Sequence, residues 1–266
     1  MESASAIDAP GLFARWREFV WPREQGSWSL ALEPLALGLL VAPSAAGGCL
    51  ALTVLAAFFT RRPLRTAVND ANAERRAAAR GPLVVLAVTA AGFFLGALAL
   101  GGVAWLAWLL PVAAAGGVFL YFDLRAAGRE EAAEVAGSAA FAFVPGAIAA
   151  LAGWRAPEAA SLALVMCGRS VPTVLAVRAL LRAQKTGDRR VVSALVAAGL
   201  ALVVGVVLAR AGLVPRTAAA LLALLAARAV VLLVLTRREL RARTIGVMEA
   251  ALGVIFVAFL AAAWRA

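Results

Sequence analysis

Nine apolar segments alternate with short polar gaps along the chain, at 28–42, 45–60, 82–100, 103–122, 131–152, 157–181, 190–211, 214–236 and 244–264. A helix that spans a bilayer needs about 20 mostly apolar residues. The first two segments are short, and the stretch between them, Ala42-Pro43-Ser44-Ala45-Ala46-Gly47-Gly48, reads as a tight hairpin turn. The pattern predicts an all-α polytopic membrane protein, with a nine-helix transmembrane domain over 28–264 and a cytoplasmic N-terminal segment over 1–27. Within that segment Leu12, Phe13, Trp16, Phe19 and Val20 share one helical face, as expected of an amphipathic helix lying in the headgroup plane. Residues 1–11 hold no apolar run, so no cleavable signal peptide is expected. Gly92 and Gly96 form a small-xxx-small pair, which predicts a close helix–helix contact.

Charge orients the segments. Of the 26 Lys and Arg residues, 20 fall before the first segment or in the second, fourth, sixth and eighth gaps. The opposite side holds only Arg155, Arg210, Arg216 and Arg265. Short loops rich in Lys and Arg stay in the cytoplasm, so the chain is expected to run N-in and C-out as a multi-pass protein of the bacterial cytoplasmic (inner) membrane.

Composition agrees with this reading, at 64% hydrophobic residues and a mean hydropathy of +0.90. The net charge of +11 reflects the positive-inside bias and attraction to anionic lipids rather than nucleic-acid binding. The two cysteines, Cys49 and Cys167, sit within apolar segments and the chain has no histidine, which argues against a disulfide framework or a zinc or haem site.

Four ionisable residues interrupt the apolar segments: Glu33, Arg169, Arg228 and Glu249. A charge at that depth costs several kcal/mol and normally faces the bundle interior with a partner. Two acids and two arginines admit two readings, a pair of buried ion bridges or the lining of a pathway. Glu33 lies about five residues from the cytoplasmic end of its segment, roughly 7.5 Å at the helical rise, and Glu249 lies at a similar depth. The outer half of the bundle lacks such charges, so a cytoplasm-facing cavity is expected, polar below and apolar above.

Two cytoplasmic gaps carry further chemistry. After the second segment, Asn69 and Asp70 offer oxygens to a divalent cation, with Glu74 on the same helical face as Asp70. The alternative is a solvated continuation of the helix. After the sixth segment, Arg178, Arg182 and Lys185 recur at i, i+4, i+7 and form one cationic stripe. Guanidinium groups match phosphate and carboxylate bidentately, so these three with Arg65 are candidate ligands of an anionic head group. The alternative is anchoring to bulk lipid headgroups.

The nine-segment layout, with polar motifs after the second and sixth segments, resembles the UbiA superfamily of intramembrane prenyltransferases. That resemblance implies an Asn-Asp-x-x-Asp-x-x-x-Asp motif and an Asp-x-x-x-Asp motif that bind Mg²⁺ and a prenyl diphosphate. Asn69-Asp70 match the start of the first motif, and Pro34 with Gly38 is similar to the first-helix pattern. The next acidic positions fall on Ala73 and Ala77, with Glu74 displaced by one, and Arg178 and Arg182 stand where the second motif has acids. A second resemblance rests on Trp21-Pro22-Arg23-Glu24-Gln25-Gly26-Ser27-Trp28, followed by Glu33-Pro34 and Arg62-Pro63-Leu64. This pattern resembles the YwiC-like family of bacterial membrane proteins, with Gln25 and Ser27 standing where the family motif has His and Ala. Arg23, Glu24, Gln25 and Trp28 are therefore candidate motif residues.

The functional expectation is a UbiA-like bundle whose cavity binds an anionic amphiphile, such as a prenyl phosphate, an isoprenoid quinone precursor or a lipid. As an enzyme it would be a prenyltransferase with degenerate Asp-rich motifs. Two other classes are a transporter or exporter of a small anion and a membrane assembly factor.

Overall fold

A chain this apolar satisfies its backbone polar groups internally in a bilayer only as helices or a closed barrel, and the regular structure among the described residues is all helical. The computed structural model describes residue 19 and residues 26–265, except 126, 129, 189 and 236–241. The predicted 12–21 helix and the motif residues Arg23, Glu24 and Gln25 lie outside the described residues, apart from Phe19.

Among the described residues there are nine helical rods and no strand. They are α1 (Gly26–Val41), α2 (Ala45–Asn69), α3 (Ala73–Gly101), α4 (Leu109–Leu124, entered through a 3₁₀ turn at Ala104–Trp108), α5 (Glu131–Leu151), α6 (Ala156–Thr186), α7 (Val192–Arg210), α8 (Arg216–Val230, continued by a π-helical turn at Val231–Leu235) and α9 (Ala242–Arg265). The predicted segments correspond one to one with these rods. Seven of the rods are long and apolar enough to cross a membrane, from α3 through α9. The apolar part of α1, Trp28–Val41, is shorter, and α2 ends in a basic stretch.

The greatest departure from the sequence pattern is the second gap. Residues 61–81 are helix apart from a break at Asp70–Asn72. Asn72 makes that break by capping α3, its side chain accepting from the backbone N–H of Glu74 at 2.8 Å and of Arg75 at 3.3 Å. At the other hairpin, Ser44 caps α2 by accepting from the N–H of Gly47 at 3.0 Å. Gly187 closes α6 in the left-handed conformation, φ 73°, that a side chain would disfavour.

α5 and α6 form the centre, and α1, α7, α8 and α9 pack around them. Small residues allow the close approach. A Cβ on Gly38 of α1 would meet Ile148 of α5, and one on Gly146 of α5 would meet the carbonyl of Ala159 on α6. In lipid, where apolar side chains gain little by leaving their surroundings, such close packing is a main source of helix association. The Gly92–Gly96 pair is only half used: Gly96 packs on Cys49 of α2, whereas Gly92 faces open space. The outer faces of α3, α7 and α9 expose large apolar side chains such as Val88, Leu95, Leu200 and Phe259, a surface suited to lipid and not to water.

Candidate functional site

At one end of the bundle the end of α2 meets the end of α4 through Asn69 and Leu124, and the last turns of α6 meet the start of α5 through Arg178 and Glu134. The four charges within the apolar runs meet inside the bundle. Arg169 of α6, 2% exposed, is the hub. Its Nη2 lies 3.5 Å from Oε2 of Glu33 on α1 and donates to the backbone carbonyl of Glu249 on α9 at 3.1 Å. Its Nη1 lies 3.8 Å from Oε2 of Glu249 and donates to Thr173 Oγ1 at 2.6 Å. Arg228 of α8 then holds Oε1 of Glu249 at 2.5 Å. Glu33 also accepts from Ser29 one turn back.

The result is one chain of alternating charge, Glu33–Arg169–Glu249–Arg228, across four helices. All four predicted residues are brought together, but in a line and not as two separate pairs. The line is electrically neutral, which is what the interior requires. Two of its atoms, Arg169 Nε and Glu249 Oε2, are buried without a hydrogen-bond partner among the described residues.

One end of the line is open. A small cleft beside Arg228 and Glu249 is walled by Ala176 and Leu180 of α6, Leu232 of the π-helical turn, and Ile245 and Met248 of α9. Single π-turns within helices concentrate at functional positions.

The cationic stripe points elsewhere. Arg178 Nη1 reaches Glu134 at 2.8 Å, and Arg182 Nη2 reaches Glu131 at 3.3 Å, both acids being in the first two turns of α5. Arg178 Nε lies 3.7 Å from Glu131 as well. Arg65 and Lys185 are exposed at the same end of the bundle. Trp28 packs edge-on against Phe58 and Phe59 of α2, with ring centroids 6.1 and 5.5 Å apart, and so clamps the first hairpin.

Asn69 and Asp70 are engaged in chain geometry. Asn69 Nδ2 donates to the carbonyl of Leu124 at 2.6 Å, tying α2 to α4. Asp70 Oδ1 accepts from the N–H of Asn72 at 3.0 Å, and its Oδ2 lies 3.6 Å from Arg75 Nε. The positive charge that Mg²⁺ would bring is already supplied by Arg75. Among the described residues no group of three His, Cys, Asp or Glu side chains converges. These residues do not fit a Mg²⁺–diphosphate site.

Three acids that the sequence pattern passed over matter here: Asp123, Glu131 and Glu134. Asp123, 1% exposed, receives Arg61 of α2 bidentately at 2.9 and 3.2 Å. Arg61 also lies over the Phe119 ring, 4.7 Å from its centroid. Each acid lies within the first or last turn or two of a helix, opposite a basic gap, and that complementarity was the available signal.

Residues 21–149 match the YwiC-like protein family. The matched region begins at Trp21, the first residue of the N-terminal motif, and runs through almost all of α5. It contains Glu33, Arg61, Asp123, Glu131 and Glu134, whereas Arg169, Arg228 and Glu249 lie beyond it. No curated protein and no solved structure matches the chain.

Proposed function

We propose that this is a nine-span protein of the bacterial cytoplasmic membrane, N-in and C-out, that holds an anionic amphiphile in the cleft between α6, α8 and α9. The observation that carries this reading is the make-up of the cleft: apolar walls of Ala176, Leu180, Leu232, Ile245 and Met248 around one charged corner, Arg228 with Glu249. The cleft as it stands has room for little more than a water, so a tail would have to part the walls of α6, α8 and α9 while an anionic head sat on Arg228. The ligand class is a prenyl phosphate, an isoprenoid quinone precursor or a lipid. Arg65 and Lys185, exposed at the same end, would meet the head group before it enters, while Arg178 and Arg182 would do so only by leaving Glu131 and Glu134. The UbiA-like likeness then concerns layout, and the protein acts as a binder.

Native mass spectrometry of the purified protein, with and without farnesyl or geranylgeranyl diphosphate, tests this. Retention of an isoprenoid or anionic lipid by the wild type, and its loss in Arg228→Ala, is the expected result. Retention of no amphiphile under any condition would overturn the proposal.

A second reading follows from the charge line itself. It reaches from the cleft to Glu33 on α1, and such a line could serve passage of a small anion. Uptake of a radiolabelled anion by vesicles containing the protein separates transport from binding.

A further inference from the structure

Resting on the cleft as a head-group site, we infer that Glu249 is a resident counter-ion, and that an entering anion takes its place on Arg228 and Arg169 only as Glu249 gains a proton. Anion binding and proton binding are then coupled, one for one.

The geometry is that of an occupied anion site. Glu249 sets Oε1 on Arg228 and turns Oε2 toward Arg169, so its carboxylate bridges two guanidinium groups on different helices. An anionic head entering from the cleft would meet Arg228, which lines it, and would reach Arg169 only past the Glu249 carboxylate. The bridge is uneven: Oε1 lies 2.5 Å from Arg228, while Oε2 stands 3.8 Å from Arg169 and is buried without a hydrogen-bond partner among the described residues. Arg169 Nε is likewise buried and unsatisfied. A buried donor and a buried acceptor left unpaired are each costly. A tetrahedral oxyanion has enough acceptor oxygens to serve both Arg228 and the spare N–H of Arg169.

Charge balance supplies the coupling. The charged groups that face Glu249 among the described residues are Arg169 of α6 and Arg228 of α8, and Glu33 of α1 faces Arg169 from the other side. These four sum to zero. One added anion would leave a net negative charge in a low-dielectric interior, which is strongly unfavourable. One proton on a carboxylate restores neutrality. Glu249 is the carboxylate that lines the cleft, whereas Glu33 is held behind Arg169 by Ser29 and by the close approach of Gly253. No bond other than the O–H of the carboxyl is made or broken, and the proton comes from solvent with the ligand.

Two probes that each carry one negative charge from pH 5 to 8 remove any titration of the ligand itself: lysophosphatidylglycerol for a lipid head group and methyl sulfate for a free oxyanion. Binding of each to the full-length protein in detergent is measured across that range. The expected result is an affinity that weakens as pH rises, by up to about tenfold per pH unit for one coupled proton. Lysophosphatidylglycerol should bind and methyl sulfate should not if the tail is needed; binding of both would assign a free anion. Glu249→Gln should bind tightly at every pH with the slope gone. Because Glu249→Gln also removes an ion pair and risks misfolding, proton uptake by the wild type is measured in weak buffer as ligand is added, and about one proton per bound lysophosphatidylglycerol is expected. Binding without a pH slope and without proton uptake would overturn this inference and leave the amphiphile site standing. Absence of binding at any pH would overturn both.

Discussion

Gly253 on the last helix stands directly against the carboxylate of Glu33 on the first, and a Cβ at that position would fall on the carboxylate itself. The missing side chain is what lets Glu33 settle 3.5 Å from Arg169. Gly253→Ala is therefore expected to push Glu33 off its partner and destabilise the protein by about 1–3 kcal/mol, the usual range for overpacking. Thermal unfolding in detergent measures it. In the Glu33→Gln background the cost should shrink by more than about 0.5 kcal/mol, since the two sites are in contact; strict additivity would show that the glycine serves only packing.

Arg169 answers two carboxylates. Its replacement by Met keeps much of the volume but leaves Glu33 and Glu249 facing each other with Arg228 alone. Removing one partner of a buried pair costs about 3–5 kcal/mol, so Arg169→Met should lower the melting temperature strongly or abolish recovery from the membrane. A variant as stable as wild type would show that the charge line contributes nothing to the fold.

The Arg61–Asp123 pair is asymmetric in burial, with side-chain exposures of 30% and 1%. Taking away Arg61 strands a buried carboxylate, whereas taking away Asp123 leaves an arginine that can still reach water. Arg61→Ala should therefore cost about 3–5 kcal/mol and Asp123→Ala clearly less. Melting curves of the two variants, run side by side, decide it; the reverse order would sink the argument.

Arg178 and Arg182 brace α5 against α6 through Glu131 and Glu134. These side chains are partly exposed, so each bridge is worth no more than about 1 kcal/mol and is screened by salt. The double alanine variant should lose about 1–2 kcal/mol at low ionic strength and less in high salt. An unchanged melting temperature would free the stripe for the head-group role.

The proposed nine crossings, with the N-terminus inside, predict that a fluorescent protein fused at the N-terminus folds in the cytoplasm. Alkaline phosphatase fused after Arg265 should be active outside. A cytoplasmic C-terminus would mean that α1 and α2 do not both cross.

The nine rods were readable from the chain because hydropathy and helical length are local properties, and a membrane penalises any break in either. The four intramembrane charges stood out for the same reason, since Glu33, Arg169, Arg228 and Glu249 each interrupt an apolar run. Their wiring was not readable. Which acid meets which arginine depends on how α1, α6, α8 and α9 are rotated against one another, and Glu249 serves both arginines where one-to-one pairs were an equal expectation. Asp123, Glu131 and Glu134 went unnoticed because charges at helix ends are ordinary; only the packing of α2 on α4 and α5 on α6 gives them partners. The stripe of Arg178 and Arg182 was correctly periodic, yet periodicity names a face and not what that face meets. Gly253 is the clearest instance. In the chain it is one glycine among 23, and its role exists only where the first and last helices touch.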